Sequence, residues 1–246
     1  MPVFFVSPEC VKPPTLSITG ELLTHIKDSL RIVIGEILWF SDGQGARYRA
    51  EISDVSKYVV TGLILETIQE PARNTLRMIL GQSLLKGEKM DWVIQKATEL
   101  GVCEIIPIES RHSVVQLKAD RVDHQRTRWQ RIALEAAQQS EQWHVPKVVR
   151  PHTLSSLLNS RTPDTLALML VERQTGKSLQ AVTLPRDGSR SVLVVIGPEG
   201  GWSKEEMEIA AQRGVERITL GQMILRAETA AIATISILQS RLGQLG

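Results

Sequence analysis

Apolar and polar positions follow two different rhythms along this chain. Through about residue 70, short apolar runs at 3–6, 37–40, 48–52 and 58–65 alternate with turn residues at Pro13-Pro14, Gly20, Gly35, Ser41-Asp42-Gly43 and Ser53-Asp54. Short strands at close spacing, with Asp-Gly between two of them, predict a small β-barrel or sandwich. One short helix is expected over residues 21–30. The pattern changes at Glu70-Pro71, so a domain boundary is placed there, dividing the chain into 1–71 and 72–246.

Beyond the boundary, strand and helix patterns alternate. Residues 76–80 read as a strand. Residues 89–100 read as an amphipathic helix, with Met90, Val93, Ile94, Ala97 and Leu100 on one face and Gly101 placed to end it. A strand over 102–108, a helix over 121–139 and a strand over 166–171 follow. The run SVLVVI at 191–196 has the continuous apolar character of a strand buried on both faces. Ser203-Lys204-Glu205-Glu206 is a capping box opening a helix that ends at Gly214. A strand over 217–220 and a mostly apolar helix over 228–242 complete the chain. Such alternation predicts an α/β layer on a mainly parallel sheet.

Composition narrows the class. The 246 residues are 42% hydrophobic and 23% charged, an ordinary globular balance. No apolar run approaches the roughly 20 residues of a membrane span, and the first residues do not read as a secretory signal. Two cysteines, Cys10 and Cys103, are too few for a disulfide framework or a cysteine-rich zinc site, which fits a cytoplasmic location. The net charge of +2 does not mark a nucleic-acid binder. Locally, residues 111–131 carry six bases (Arg111, Lys118, Arg121, Arg126, Arg128, Arg131) against two acids (Asp120, Asp123), a balance of +4, with His112 and His124 beside them. A lone cluster of this kind is most often a solvated helix face, and an RNA-facing surface needs support from elsewhere. With aromatics at 4%, a sheet of base-stacking platforms is not expected.

Two stretches hold the chemistry. In Gly197-Pro198-Glu199-Gly200-Gly201 a buried strand runs through glycines into a capped helix, a place where a ligand can approach the backbone. A tight turn would explain the glycines equally well. The phosphate-cradling patterns G-x-G-x-x-G and G-x-x-x-x-G-K-[ST] are absent, and Glu199 sits where a phosphate would otherwise be held. A nucleoside without phosphate, or a cationic ligand, suits the loop better. The second stretch, Leu220 to Ala230, again ends a strand in a glycine and places Arg226 and Glu228 at the entrance of an apolar helix. Glu228 is what a helix N-terminus favours, whereas Arg226 there is electrostatically misplaced. The five histidines show no metal-ligand spacing. Cys103, Trp92 and Trp129 read as packing residues, and Trp202 beside the glycine loop is left open.

These segments resemble one family. Gly197-Pro198-Glu199-Gly200-Gly201-Trp202-Ser203, followed by Leu220-Gly221 and Ile224-Leu225-Arg226-Ala227-Glu228-Thr229-Ala230, are similar to the ribosomal RNA small subunit methyltransferase E (RsmE) family of the SPOUT superfamily. The likeness continues in Leu85-Lys86-Gly87-Glu88-Lys89-Met90 and Gln95-Lys96-Ala97-Thr98-Glu99-Leu100-Gly101-Val102. It extends through Pro107, Arg111, Ser113, Arg128-Trp129, Glu135-Ala136 and Gln139-Ser140, and in the first domain through His25, Leu30-Arg31 and Gly35. Three positions depart from the family's pattern, Val3, Gln142 and Met223, where arginine is common.

The resemblance implies an N-terminal PUA-like barrel and a SPOUT methyltransferase domain with a C-terminal trefoil knot, assembled as a homodimer. It implies S-adenosyl-L-methionine held by Leu170, Gly197, Pro198, Glu199, Gly200, Gly201, Leu220, Gly221, Ile224, Leu225, Arg226, Glu228 and Thr229. The implied substrate is N3 of one uridine in the decoding region near the 3′ end of 16S ribosomal RNA, with Arg31, Lys86, Lys96, Arg111, Arg121, Arg126 and Arg128 on the RNA. Uracil N3 is protonated at neutral pH, so the reaction needs loss of that proton and stabilisation of charge on the uracil oxygens. Arg226 is the candidate for the second task, and Glu228 or Glu199 for the first. Two other readings are a noncatalytic RNA-binding or ribosome-assembly protein of the same fold, and an unrelated α/β enzyme using another nucleotide. No metal and no membrane partner are expected.

Overall fold

The computed structural model describes residues 3–27, 31–71, 76–172, 176–185 and 191–245; Leu30 and the side chain of His25 lie outside the described residues. By their contacts the residues group into two units, Met1–Ala72 with Ala137–Val145, and Arg73–Ala136 with Pro146–Gly246.

In the first unit, β1 (Val3–Phe5), β2 (Val11–Lys12), β3 (Thr15–Ile18), α1 (Gly20–His25), β4 (Ile37–Ser41), β5 (Ala46–Val55) and β6 (Val60–Gln69) follow in chain order. They form one sheet in the order β1-β4-β5-β6-β3-β2. Among the described residues, only β1 and β4 pair in parallel there. Strand alternation sends Leu16, Ile18, Leu38, Phe40, Ala50 and Ile52 into one core, which Leu23 and Ile26 from α1 also enter. Phe4 on an edge strand shares that core with Leu16, four strands away along the sheet, so the sheet must curl around it. The Asp42 carboxylate shapes the β4–β5 turn by accepting from the amides of Gln44 at 2.8 Å and Ala46 at 3.0 Å. Ser53-Asp54, expected as a turn, instead lies inside β5, where a register shift absorbs it. The short β2–β3 hairpin around Pro13-Pro14 is too brief to show an apolar period. The segment after residue 137 packs here through Trp143, whose ring lies 3.8 Å from the Arg47 guanidinium, and His144, 2.6 Å from Glu70.

The second unit contains β7 (Arg77–Ser83), α2 (Lys89–Glu99), β8 (Glu104–Glu109), α3 (Val122–Gln139), β9 (Lys147–Val148), β10 (His152–Thr153), α4 (Leu154–Ser160), β11 (Thr165–Leu170), β12 (Lys177–Ser178), β13 (Ser191–Ile196), α5 (Lys204–Gln212), β14 (Glu216–Thr219) and α6 (Ala227–Arg241). Every described pairing in its sheet is parallel, in the order β10-β8-β7-β13-β11-β14-β12, with β9 also on β8. The parallel sheet expected from the alternation is therefore present. Leu154, Leu157 and Leu158 of α4 and Ala210 of α5 pack on Ile106, Ile108, Leu193 and Val195. On that face Gly81 leaves room, since a Cβ there would fall 3.1 Å from both Ile108 Cδ1 and Leu157 Cδ2. Helices α2 and α6 pack against each other, and α6 also contacts β13. The short β9, β10, β12 and α4 were not legible as elements, being two to seven residues long.

One packing assignment is corrected. Trp129 is 3% exposed, but Trp92 is 41% exposed, because Met90, Val93, Ile94 and Ala97 take the buried face of α2 and Trp92 falls beside that stripe. Cys103 is half-buried just before β8, and its thiol donates to the Met78 carbonyl at 3.2 Å. Burial pushes its pKa up, which disfavours the thiolate and fits the packing role.

Candidate functional site

Parallel pairing puts the carboxyl ends of all the strands of the second unit on one edge, where α/β sheets bind ligands. Residues 197–203 follow β13 there. Trp202 folds back so that its indole N–H donates to the Leu170 carbonyl at 3.0 Å, tying this loop to the end of β11. The ring lies on Gly197, where a Cβ would fall 3.1 Å from Trp202 Cε2 and Nε1. This settles Trp202 as the support of the glycine loop. Gly200 is needed for a second reason: a Cβ there would stand 2.9 Å from His112 Cβ and 3.4 Å from the His112 carbonyl oxygen. The His112 Nδ1 lies 3.2 Å from both the Gly200 and Gly201 carbonyls. Two carbonyl partners require Nδ1 to carry the proton. Gly201 has φ +69°, the left-handed region that favours glycine.

The helix that follows is anchored as the capping box predicts. Ser203 Oγ accepts from the Glu206 amide at 3.2 Å, and Glu206 Oε2 accepts from the Ser203 amide at 2.9 Å. The second carboxylate oxygen of Glu206 accepts from the Arg111 amide at 3.0 Å. The segment carrying Arg111 and His112 is thus fastened both to the glycine loop, through His112, and to the start of α5, through the Arg111 amide.

The loop after β14 is open. Gly221 has φ +107°, a Cβ there would meet no atom within 4 Å, and Met223 and Ile224 are about four-fifths exposed. Arg226 is exposed at the N-terminal boundary of α6, caps nothing with its side chain, and makes no ion pair among the described residues. Glu228, in the first turn of α6, is only 14% exposed along its side chain. Its Oε2 has no hydrogen-bond partner and lies 3.6 Å from Lys89 Nζ. The same ammonium donates to Glu199 Oε1 at 3.0 Å. A carboxylate from the β13 loop and one from the first turn of α6 therefore meet at one lysine from the start of α2, and the cluster carries a net charge of −1 when all three groups are ionised. Burial would raise the Glu199 pKa, but a backbone hydrogen bond and Lys89 outweigh it and hold the carboxyl below its ordinary value. Lys89 is in turn held above its ordinary value, chiefly by the hydrogen bond to Glu199.

Of the expected cofactor residues, the structure joins Leu170, Gly197, Pro198, Glu199, Gly200 and Gly201 through Trp202, His112 and Lys89, and brings Glu228 to Glu199. Leu220, Gly221, Ile224, Leu225 and Thr229 lie on the β14 loop and first turn of α6. Among the expected RNA contacts, Arg31, Lys86, Arg111, Arg121 and Arg126 are exposed. Lys96 is engaged by Glu99 at 2.8 Å, and Arg128 reaches both oxygens of Asp91 at 2.8 and 2.5 Å. A cleft lined by Gln116, Lys118, Arg121 and His124 opens in the same basic stretch. Sequence reasoning missed Lys89 and His112 as site residues. The signal for Lys89 was available, a cation at the first position of a helix, where the macrodipole disfavours it. Nothing local marked His112, whose partners lie 88 and 89 residues away. The described residues contain no group of side chains able to hold a metal ion and no helix long and apolar enough to cross a membrane.

Comparison with known proteins bears on these loops. An RNA methyltransferase domain family model matches residues 72–239, and an RNA methyltransferase PUA domain model matches residues 18–61. The chain is 34% identical over 228 residues to the ribosomal RNA small subunit methyltransferase E of Bacillus subtilis, covering 91% of this chain and 89% of that protein. Its fold is similar to that of the ribosomal RNA small subunit methyltransferase E from Neisseria gonorrhoeae bound to S-adenosyl methionine, with a TM-score of 0.88, 29% identity and 98% of each chain covered. A Legionella pneumophila protein solved with bound cofactor SAM gives a TM-score of 0.87 at 28% identity over 97% of each chain. The architecture is the SPOUT-type α/β methyltransferase fold preceded by a PUA-like domain. On these matches, the chain belongs to the ribosomal RNA small subunit methyltransferase E family.

Proposed function

We propose that this protein methylates N3 of one uridine in the decoding region of 16S ribosomal RNA, near its 3′ end, with S-adenosyl-L-methionine as methyl donor. Membership of an rRNA methyltransferase family supports the reaction class, and S-adenosyl methionine in the related structures supports the donor. The observation that carries the site is the meeting at Lys89 of Glu199, from the β13 loop, and Glu228, from the first turn of α6, at the carboxyl edge of the sheet. The residues fit this cofactor. No phosphate cradle is present, and the Glu199–Lys89–Glu228 cluster of net charge −1 suits a cation. When bound, the cofactor supplies an electrophilic methyl group.

The chain's own groups divide the remaining tasks. Arg226, exposed and unpaired among the described residues, is free to approach a uracil oxygen and stabilise charge as the N3 proton leaves. Glu228 is the better base of the two carboxylates. Glu199 accepts a full hydrogen bond from Lys89, whereas Glu228 Oε2 is buried with no hydrogen bond and keeps its lone pairs for a proton. N3 faces its partner base in a duplex, so the target is taken unpaired or flipped. Arg111, Arg121 and Arg126 offer cations for the RNA backbone, and the PUA-like unit, with Arg31, is a second RNA-binding element. The protein acts as a cytoplasmic homodimer with a C-terminal trefoil knot.

The test is incubation of the purified protein and S-adenosyl-L-methionine with small ribosomal subunits from cells lacking this modification, followed by nucleoside mass spectrometry of the 16S RNA. N3-methyluridine at one position is expected. Cofactor binding without any methylated nucleoside would favour the noncatalytic ribosome-assembly reading.

A further inference from the structure

We propose that Lys89 is a positioning residue: its ammonium ties the β13 loop to the first turn of α6, which follows the β14 loop, by holding Glu199 and Glu228 at once. The proposal rests on the reading that these loops bind S-adenosyl-L-methionine.

Three observations carry it. First, the loops have separate roots. Strands β13 and β14 lie on either side of β11, so the chain leaves the sheet at points two strand spacings apart, about 9.6 Å. Among the described residues, no other hydrogen bond or ion pair joins residues 197–203 to residues 220–229. Lys89 arrives from a third element, α2, and touches both, at 3.0 Å and 3.6 Å. Second, the position is electrostatically unfavourable without those partners. Lys89 is the first residue of α2, where unpaired amide groups already present positive charge. The two carboxylates are what make a cation stable there. Third, the converse holds for Glu228. Its side chain is 14% exposed, its Oε2 has no hydrogen bond, and Lys89 is its one ion-pair partner among the described residues. Without the ammonium, Glu199 and Glu228 would face each other as like charges, and the loops would separate or one carboxyl would take a proton. Either change alters the crevice a sulfonium cofactor must enter.

Lys89 therefore acts through the carboxylates rather than on the reacting atoms, and its loss should weaken cofactor binding. About a third of its side chain is exposed, so Lys89→Met keeps the aliphatic stem without opening a cavity. The experiment uses the full-length protein and compares wild type, Lys89→Met and Lys89→Arg, each also in a Glu199→Gln/Glu228→Gln background. Binding of S-adenosyl-L-methionine is followed by titration calorimetry and methyl transfer by steady-state kinetics on small ribosomal subunits. Lys89→Met should raise Kd and KM for the donor by about tenfold, whatever happens to kcat through Glu228. Lys89→Arg should recover most of the affinity, the melting temperature should stay within about 2 °C of wild type, and in the double-Gln background Lys89→Met should add nothing. Unchanged Kd in Lys89→Met, loss confined to kcat, or an undiminished effect in the double-Gln background would overturn the proposal while leaving the cofactor reading intact. Failure of the wild-type protein to bind would instead remove the cofactor reading on which the proposal stands.

Discussion

Gly200→Ala offers a direct test of how the glycine loop is held. The backbone at Gly200 needs no left-handed conformation, so alanine is excluded by space alone. Its Cβ would stand 2.9 Å from His112 Cβ, against an ordinary carbon–carbon contact of about 3.5–4.0 Å, an overlap of about 0.6–1.1 Å. Two main-chain-linked atoms cannot yield by a rotamer change, so the loop or the His112 segment must move. Overpacking of this kind costs about 1–3 kcal/mol. Without ligand the loop relieves that strain by shifting; binding a cofactor on it requires the original position and restores the strain. The cost then falls on the binding equilibrium, predicting a Kd for S-adenosyl-L-methionine raised by about 5–150-fold. Calorimetric titration of Gly200→Ala and of Gly200→Ala/His112→Gly would separate steric strain from other effects. Removal of the His112 side chain leaves only the 3.4 Å approach to its carbonyl oxygen and also deletes its ring hydrogen bonds, so recovery is judged against His112→Gly alone, on which Gly200→Ala should cost little further affinity. A Kd for Gly200→Ala within twofold of wild type, or no recovery in the double variant, would refute the reasoning.

Further outcomes follow from the same geometry. Ser203→Ala removes the acceptor for the Glu206 amide and should lower stability by about 1 kcal/mol, read as a shift in denaturant midpoint at constant m-value. The pH dependence of donor binding should be flat from about pH 5 upward through neutrality. Glu199 is depressed in the folded protein, so its contribution is complete above the ordinary carboxylate pKa and is lost only as pH falls through the lower folded-state value; a loss of affinity centred near pH 6–7 would contradict this. Arg126→Ala should weaken RNA binding and reduce the slope of log K against log salt by about 1. Arg128→Ala should change that slope less, since Asp91 already engages its guanidinium; equal slope changes would show that the ion pair opens on RNA.

Much of this protein is written locally. The capping box at Ser203 and Glu206, the glycine after α2 and the continuous apolar run of β13 each depend on neighbours within a few residues, and each is where the pattern places it. The parallel sheet follows from strand–helix alternation, because consecutive parallel strands need a crossover. The two glycine-bearing loops were legible for the same reason, as glycines at the carboxyl ends of strands. Trp92 shows the limit of periodicity: being aromatic on a helix does not say which side of the buried stripe it falls.

Tertiary structure decided what long-range packing alone can decide. Glu199 and Glu228 could not be ranked from sequence, because their difference lies in Lys89, 110 residues before Glu199, and in the burial of Glu228. Trp202 became a loop support only when Leu170 was seen to accept its N–H. His112 belonged by sequence to a basic stretch; the fold turned it onto the Gly200 and Gly201 carbonyls. A sequence specifies periodicity, caps and turn chemistry through contacts a few residues apart, whereas the distance between two loops, and the charge that bridges them, exists only after the sheet has set its strands side by side.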